Sequence, residues 1–411
     1  MITRIKNGKL ILDDQITEEK YLYFETNEAT TKTVKGAVEP ANKGATGPTN
    51  KITRITSEEL PFDNEIDALS QYVSPGFIDL HVHGGNGFEF IDAAEEAIIQ
   101  AANIHGMHGT TTIYPTLSAF SLVTTQKALD TIKRCQYSEN IIPHIAGVHL
   151  EGPYFSPKQC GAQDTTYIRE PDETEYAELV AQYGDLIRRW SYAPEVKGAV
   201  DFQDFLSAHH IVGAAGHTDA QYCHMREAYE HGCKLITHLY SCTSTIVREG
   251  GFRKLGVIET AYLYDDITVE AIADGCHLPP ELLKLIYKLK GEQQICLVTD
   301  AIRYGGCTGC EATVSGTENV PYIIEDGVAK LADRSAFAGS IATADVLVKK
   351  KKKKAGFPLI SAVKMMTENP ARVMGLQTKG RLKEGYDADI VLFDEDIQVH
   401  SVIVNGRKIA D

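Results

Sequence analysis

Asp79-Leu80-His81-Val82-His83 closes an apolar run that begins at Val73, and its two histidines stand two residues apart. Residues i and i+2 of a strand share a face, so a strand over 73–83 presents His81 and His83 together at its C-terminal end, where they can hold one metal. The pattern recurs along the chain. Apolar runs at 110–116, 145–151, 187–193, 211–217, 235–238, 269–274 and 295–299 read as seven further strands. Several of them end on a side chain that can bind a metal or move a proton: Glu151 in His149-Leu150-Glu151-Gly152-Pro153, His217 after Ala215-Gly216, His238 after Thr237, His277 in Asp274-Gly275-Cys276-His277, and Asp300 after Val298-Thr299. Amphipathic helical patterns at 93–105, 122–135, 175–183, 225–231 and 281–289 fill gaps between them. Eight such units over about 300 residues predict an α/β fold, a (β/α)8 TIM-like barrel, whose sites gather at the C-terminal ends of its strands.

A lone histidine at a strand end is more often structural than functional. Five histidines, one Glu and one Asp at six strand ends of one barrel are a different matter, and they predict a metal-dependent site. The other histidines (His105, His108, His144, His149, His209, His210, His224, His231 and His400) fall in helices, loops or other strand faces and read as structural or solvent-facing.

Outside the barrel pattern, Arg4-Ile5-Lys6 and Lys9-Leu10-Ile11-Leu12 are short strands around an Asn7-Gly8 turn, and Asp389–Phe393 and Val402–Val404 are strands with no helix between them. Residues 1–72 and 377–411 are therefore expected to form one small β-sandwich domain beside a barrel of residues 73–376. The stretch Thr26 to Thr53, rich in Thr, Lys, Ala and Gly, reads as an exposed loop or insertion. Lys349–Lys354, six lysines in a row, reads as a solvated helix face or loop, with an anion-binding patch as the alternative.

The 411 residues are 43% hydrophobic and 24% charged, an ordinary globular balance that excludes global disorder. Their net charge of −15 disfavours nucleic acid and anionic membranes as partners. With no long apolar run and no signal-type h-region near Met1, a cytoplasmic enzyme is expected. The nine cysteines lie between Cys135 and Cys310 and read as reduced core residues; Cys307 and Cys310 have CxxC spacing but lack a second pair.

From Pro75 to Gly406 the chain resembles the amidohydrolase superfamily and, within it, the N-acetylglucosamine-6-phosphate deacetylase family. The resemblance is carried by Pro75–Gly84, His149-Leu150-Glu151-Gly152-Pro153-Tyr154, Tyr192-Ala193-Pro194-Glu195, Gly216–Ala220, Thr237–Tyr240, Ala273–His277, Val298–Ala301 and Ala338-Gly339-Ser340. The block around Glu151 discriminates, because many other amidohydrolases use a carboxylated Lys on strand four and Ile187–Tyr192 offers none. The resemblance implies Glu151, His217 and His238 as ligands of a main divalent transition metal, Zn or Fe. His81 and His83 allow a second ion bridged by Glu151. It further implies Asp300 as catalytic base and acid beside the metal, and His277 as donor to the substrate's carbonyl oxygen. Substrate contacts are expected from Gly161, Ala162, Gln163, Ser241, Cys242, Arg248, His277, Gly339 and Ser340, with Arg248 on the phosphate.

Two departures stand out: Gln163 replaces a histidine common in the family, and Ser241-Cys242-Thr243 replaces Asn-Ala-Met. The implied reaction is deacetylation of N-acetyl-D-glucosamine 6-phosphate, in a homodimer whose neighbouring subunit completes the phosphate site. The alternatives are another acylated amino sugar such as N-acetylgalactosamine 6-phosphate, a cyclic amide, or a non-catalytic barrel, which predicts lost ligands where none is lost.

Overall fold

The apolar run at 73–83 is two strands rather than one. In the computed structural model, which describes residues 1–26, 50–316 and 319–409, Tyr72–Pro75 belongs to a sheet of the chain termini and Phe77–Val82 to the barrel. Pro75-Gly76 makes the break. A Cβ on Gly76 would stand 2.1 Å from the Thr111 hydroxyl, so only glycine lets the chain pass there.

From Phe77–Val82 the barrel continues through Thr110–Leu117, Val148–Glu151, Ile187–Tyr192, Val212–Ala215, Leu235–Ile236, Thr268–Ala271 and Ile295–Leu297. Neighbours pair in parallel and in chain order, so these are barrel strands one to eight. Strands one and eight meet through a single bridge, Val82 to Ala301, flanked by main-chain bonds from His83 N to Ala301 O (2.8 Å) and from Asp300 N to His81 O (2.9 Å). Helices follow the strands on the outside, and their starts are written in the sequence. Ser121 accepts the Thr124 N–H to open Leu122–Cys135, and Asp172 accepts that of Glu175 to open Glu173–Tyr183. Proline opens Pro280–Lys290 and Gly291 ends it.

The terminal strands form two sheets. Ile52–Thr56, Tyr21–Glu25, Ile2–Lys6 and Asn64–Asp67 make one; Arg407–Lys408, Val399–Val404, Ile390–Phe393, Tyr72–Pro75, Lys9–Ile11 and Ile16–Thr17 make the other. They share an apolar core in which Ile5, Leu22 and Phe24 meet Leu10, Val73, Ile390 and Ile403. Asn7-Gly8 thus carries the chain from one sheet to the other. Of the expected 26–53 loop, residues 27–49 lie outside the described residues, while Ile52 is a fully buried strand residue.

Two further expectations need correction. Lys349 to Lys353 end the helix Ala344–Lys353, but Lys351 points inward and is completely buried, because the helix packs that face on the barrel. All nine cysteines are free, yet only Cys135, Cys233 and Cys296 are buried, and Cys223 is exposed. Between strand eight and its helix, an antiparallel sheet of Val314–Gly316, Pro321–Glu325 and Val328–Leu331 stands over the barrel mouth.

Candidate active site

Strands one, three, five, six and eight deliver donor side chains to one point at the barrel mouth. His217, His238 and Asp300 each follow a strand directly or within a few residues, with φ of +46°, +28° and +48°. Non-glycine residues reach that region only where the surroundings hold them there, and such strain gathers at functional sites.

Glu151 is the centre. Its Oε1 lies 3.0 Å from His238 Nε2, 3.2 Å from His217 Nε2 and 3.3 Å from His81 Nε2, and its Oε2 lies 3.3 Å from His83 Nε2. His217 Nε2 and His238 Nε2 are 3.2 Å apart. On the other side, Asp300 Oδ1 is 3.4 Å from His81 Nε2 and 3.2 Å from His83 Nε2, which are themselves 3.2 Å apart. Two donor groups, Glu151–His217–His238 and His81–His83–Asp300, therefore adjoin.

These separations suit divalent ions, since donors bound to one tetrahedral ion at about 2.0–2.1 Å stand about 3.3 Å from each other. The remaining ring nitrogens agree. His217 Nδ1 donates to the Gln159 carbonyl (3.0 Å) and His238 Nδ1 to that of Ser241 (3.1 Å), which leaves each Nε2 lone pair facing the cluster. Buried lone pairs and carboxylates so arranged repel one another without a cation. Burial alone would depress His81 and His83, but the Glu151 and Asp300 carboxylates outweigh it and hold them up at about 9 and about 10. Against burial of their own, Glu151 is held far below the usual carboxylate range, by His81 and then His217, and Asp300 at about 2, by His81 and then His83. The site is built around positive charge, carried by protons or by an ion.

Above the donors opens a cavity of about 630 Å³. Of the residues singled out in the sequence, His83, Glu151, Ala162, Gln163, His217, His238, Ser241, Cys242, His277, Asp300 and Gly339 line it. His81 lies buried behind them, and Gly161 backs Cys242 so closely that a Cβ there would meet the thiol at 2.4 Å. Two residues are placed elsewhere. Ser340 is buried in the barrel seam, its hydroxyl bonded to the Thr299 carbonyl (2.5 Å), because the chain there pairs with Ala301. Arg248 lies on an exposed hairpin of Val247–Glu249 and Phe252–Lys254, turned by Gly250-Gly251, outside the cavity lining of this chain.

Gln163 is locked between the Ala119 N–H (2.9 Å to Oε1) and Glu151 Oε2 (2.7 Å from Nε2), so its amide holds a carboxylate of the donor cluster. His277 Nδ1 donates to Asp274 Oδ2 (2.7 Å), whose other oxygen accepts the N–H groups of Cys276 and His277 (2.8 Å each). Sequence reasoning missed Arg303, the only Lys or Arg among the described lining residues, which is paired with Asp92 (2.8 Å) and Glu89 (3.5 Å). It also missed Tyr322 and Phe337 from the overhanging insertion; no strand-end pattern marks any of them.

Comparison with known proteins agrees with this architecture. The model of the Amidohydrolase family matches residues 72–409. The N-acetylglucosamine-6-phosphate deacetylase of Lysinibacillus sphaericus is 32% identical over 351 residues, 84% of this chain and 87% of that protein. The N-acetylgalactosamine-6-phosphate deacetylase of Escherichia coli O157:H7 is 30% identical over 342 residues, 82% and 88% of the two. Among solved structures, a mutant N-acetyl-D-glucosamine-6-phosphate deacetylase of Mycobacterium smegmatis in complex with N-acetyl-D-glucosamine-6-phosphate superposes with a TM-score of 0.83 at 26% identity, covering 100% of this chain and 99% of that one. With its barrel, its strand-end donors and these relatives, the chain belongs to the amidohydrolase family, in the group of the N-acetylglucosamine-6-phosphate deacetylases.

Proposed function

We propose that this protein removes the acetyl group of N-acetyl-D-glucosamine 6-phosphate, releasing acetate and glucosamine 6-phosphate, as a cytoplasmic, metal-dependent enzyme. The observation that carries the reading is the pair of donor groups adjoining at Glu151, on the floor of a cavity whose wall includes His277 and the Ser241-Cys242 loop. Among the described residues no helix is long and apolar enough to cross a membrane.

Glu151, His217 and His238 would hold a main ion and His81, His83 and Asp300 a second, Zn or Fe suiting such nitrogen and oxygen donors. A bound divalent ion supplies a water nucleophile at neutral pH and draws charge from the acyl oxygen. Asp300 takes the proton of the attacking water and returns it to the amine as the C–N bond breaks. Asp274 accepts from His277 Nδ1 and fixes the ring; donation from Nε2 to the acyl oxygen is made by the imidazolium form, which that carboxylate supports.

Purified protein is expected to carry one to two equivalents of a divalent transition metal. His217→Ala or His238→Ala should remove the main ion and the activity together, read by elemental analysis and acetate release. Full activity in a metal-free preparation would defeat the mechanism.

The phosphate needs a cation, and Arg303 is already committed to Asp92 and Glu89. Arg248 supplies one from a second copy of the chain: its hairpin is exposed, with Val247 43% and Phe252 76% accessible, and Arg presents a fork that matches phosphate. Arg248→Ala should raise KM for the 6-phosphate about 10- to 100-fold and hardly change the slow reaction of the unphosphorylated sugar. The deciding assay is acetate release from N-acetylated hexosamines with and without 6-phosphate. The second reading, N-acetylgalactosamine 6-phosphate, is favoured by the Ser241-Cys242 replacement at the cavity wall, and the same panel separates the two.

A further inference from the structure

Below the donor cluster the barrel interior holds a charge pair where apolar side chains would pack. Glu270 of strand seven and Arg189 of strand four are both completely buried and form an ion pair across the lumen. A buried pair seldom adds stability over well-packed apolar residues of the same volume, so its presence here calls for another reason. Its contacts supply one, because they fall on the donor residues and their neighbours.

Glu270 Oε2 accepts the main-chain N–H of His238 (3.2 Å) and faces His81 Nδ1 (3.4 Å). Arg189 Nη1 donates to the Leu80 carbonyl (3.0 Å) and Nη2 to the Thr237 hydroxyl (3.1 Å), the residues just before His81 and His238. The pair thus touches one member of each donor group, by ring or by backbone.

The four imidazoles are also not held alike. His217 and His238 lean on carbonyls and His83 on the Ser118 hydroxyl (3.0 Å), which can donate as well as accept. At the ring nitrogen turned away from the cluster, His81 alone faces a carboxylate, which can only accept. Glu270 therefore fixes the proton of His81 on Nδ1 and aims its Nε2 at the second group, while Arg189 holds Glu270 in place.

We propose that Glu270, anchored by Arg189, is the positioning residue that makes the His81–His83–Asp300 group able to hold an ion. The proposal rests on the reading above that the two donor groups hold one ion each.

The test counts ions in wild type, in Glu270→Gln and in the double variant Arg189→Met/Glu270→Leu, each loaded with Zn²⁺ or Co²⁺, gel-filtered and measured by elemental analysis beside a thermal melt. The double variant leaves no orphaned charge, so it folds even where the single variant does not. Two ions per wild-type chain and one per double-variant chain, with the second ion's affinity about 10- to 100-fold weaker and the melt little changed, is the expected result. Adding His217→Ala to the double variant should then remove the remaining ion. A double variant that keeps both ions at wild-type affinity overturns the role of Glu270 while leaving the two-ion reading intact. A wild type that holds a single ion overturns the two-ion reading, and this inference with it.

Discussion

Asp300→Asn is expected to lower kcat by about 10³- to 10⁴-fold while KM changes little. The amide keeps the size of the carboxylate, and the rest of the cavity lining is untouched. It cannot take a proton from water or give one to the leaving amine. The substitution also turns an anionic donor beside His81 and His83 into a neutral amide, so the His81–His83 side of the cluster should bind its ion more weakly. Steady-state kinetics with metal content measured on the same sample separate the two losses. An enzyme with both ions in place and unchanged kcat would remove Asp300 from the proton transfers.

The largest effect on stability is expected at Lys351. Its ammonium is fully buried, has no hydrogen-bond partner, and lies 4.2 Å from the centre of the Phe357 ring, whose attraction offsets only part of the lost hydration. Burial pulls its pKa from 10.5 down to about 7. Between about pH 7 and 10.5 the unfolded chain therefore binds more protons than the folded one, and stability rises with pH across that window. Below it the penalty is complete. Lys351→Met keeps the aliphatic bulk and should stabilise the protein by a few kcal/mol at pH 7, a gain that fades toward pH 10. Chemical denaturation at both pH values checks the sign; an equal effect at both would show that packing, not ionisation, sets the difference.

Lys351 also shows where the sequence stops being informative. Six consecutive lysines have no period, so nothing in the run marks which one the helix turns toward the barrel. The donor residues were legible for the opposite reason: strand alternation and a sharp exit after each apolar run fix both the face and the end on which His81, His83, Glu151, His217, His238 and Asp300 stand. Glu270 was hidden because a lone acid inside an apolar run looks like an interruption until its partner on strand four is known. Arg189 was hidden likewise, within a strand read mainly for its missing Lys. Arg248 was placed by motif alone, and motif does not say that its hairpin projects away from the cavity.

The sheet that joins Tyr72–Pro75 to Ile390–Phe393 has a consequence for how the protein is made. Lys9–Ile11 and Tyr72–Pro75, which pair with each other in the folded chain, leave the ribosome early. The far edge of Tyr72–Pro75 then stays open while every barrel strand is synthesised. Translation that stalls between residues 376 and 390 leaves a barrel with all its strand-end donor residues but an open strand edge beside Val73, the kind of edge on which nascent chains stick together. Release of chains free of that open edge should therefore depend on the synthesis of residues 390–404, far in sequence from any residue of the donor cluster.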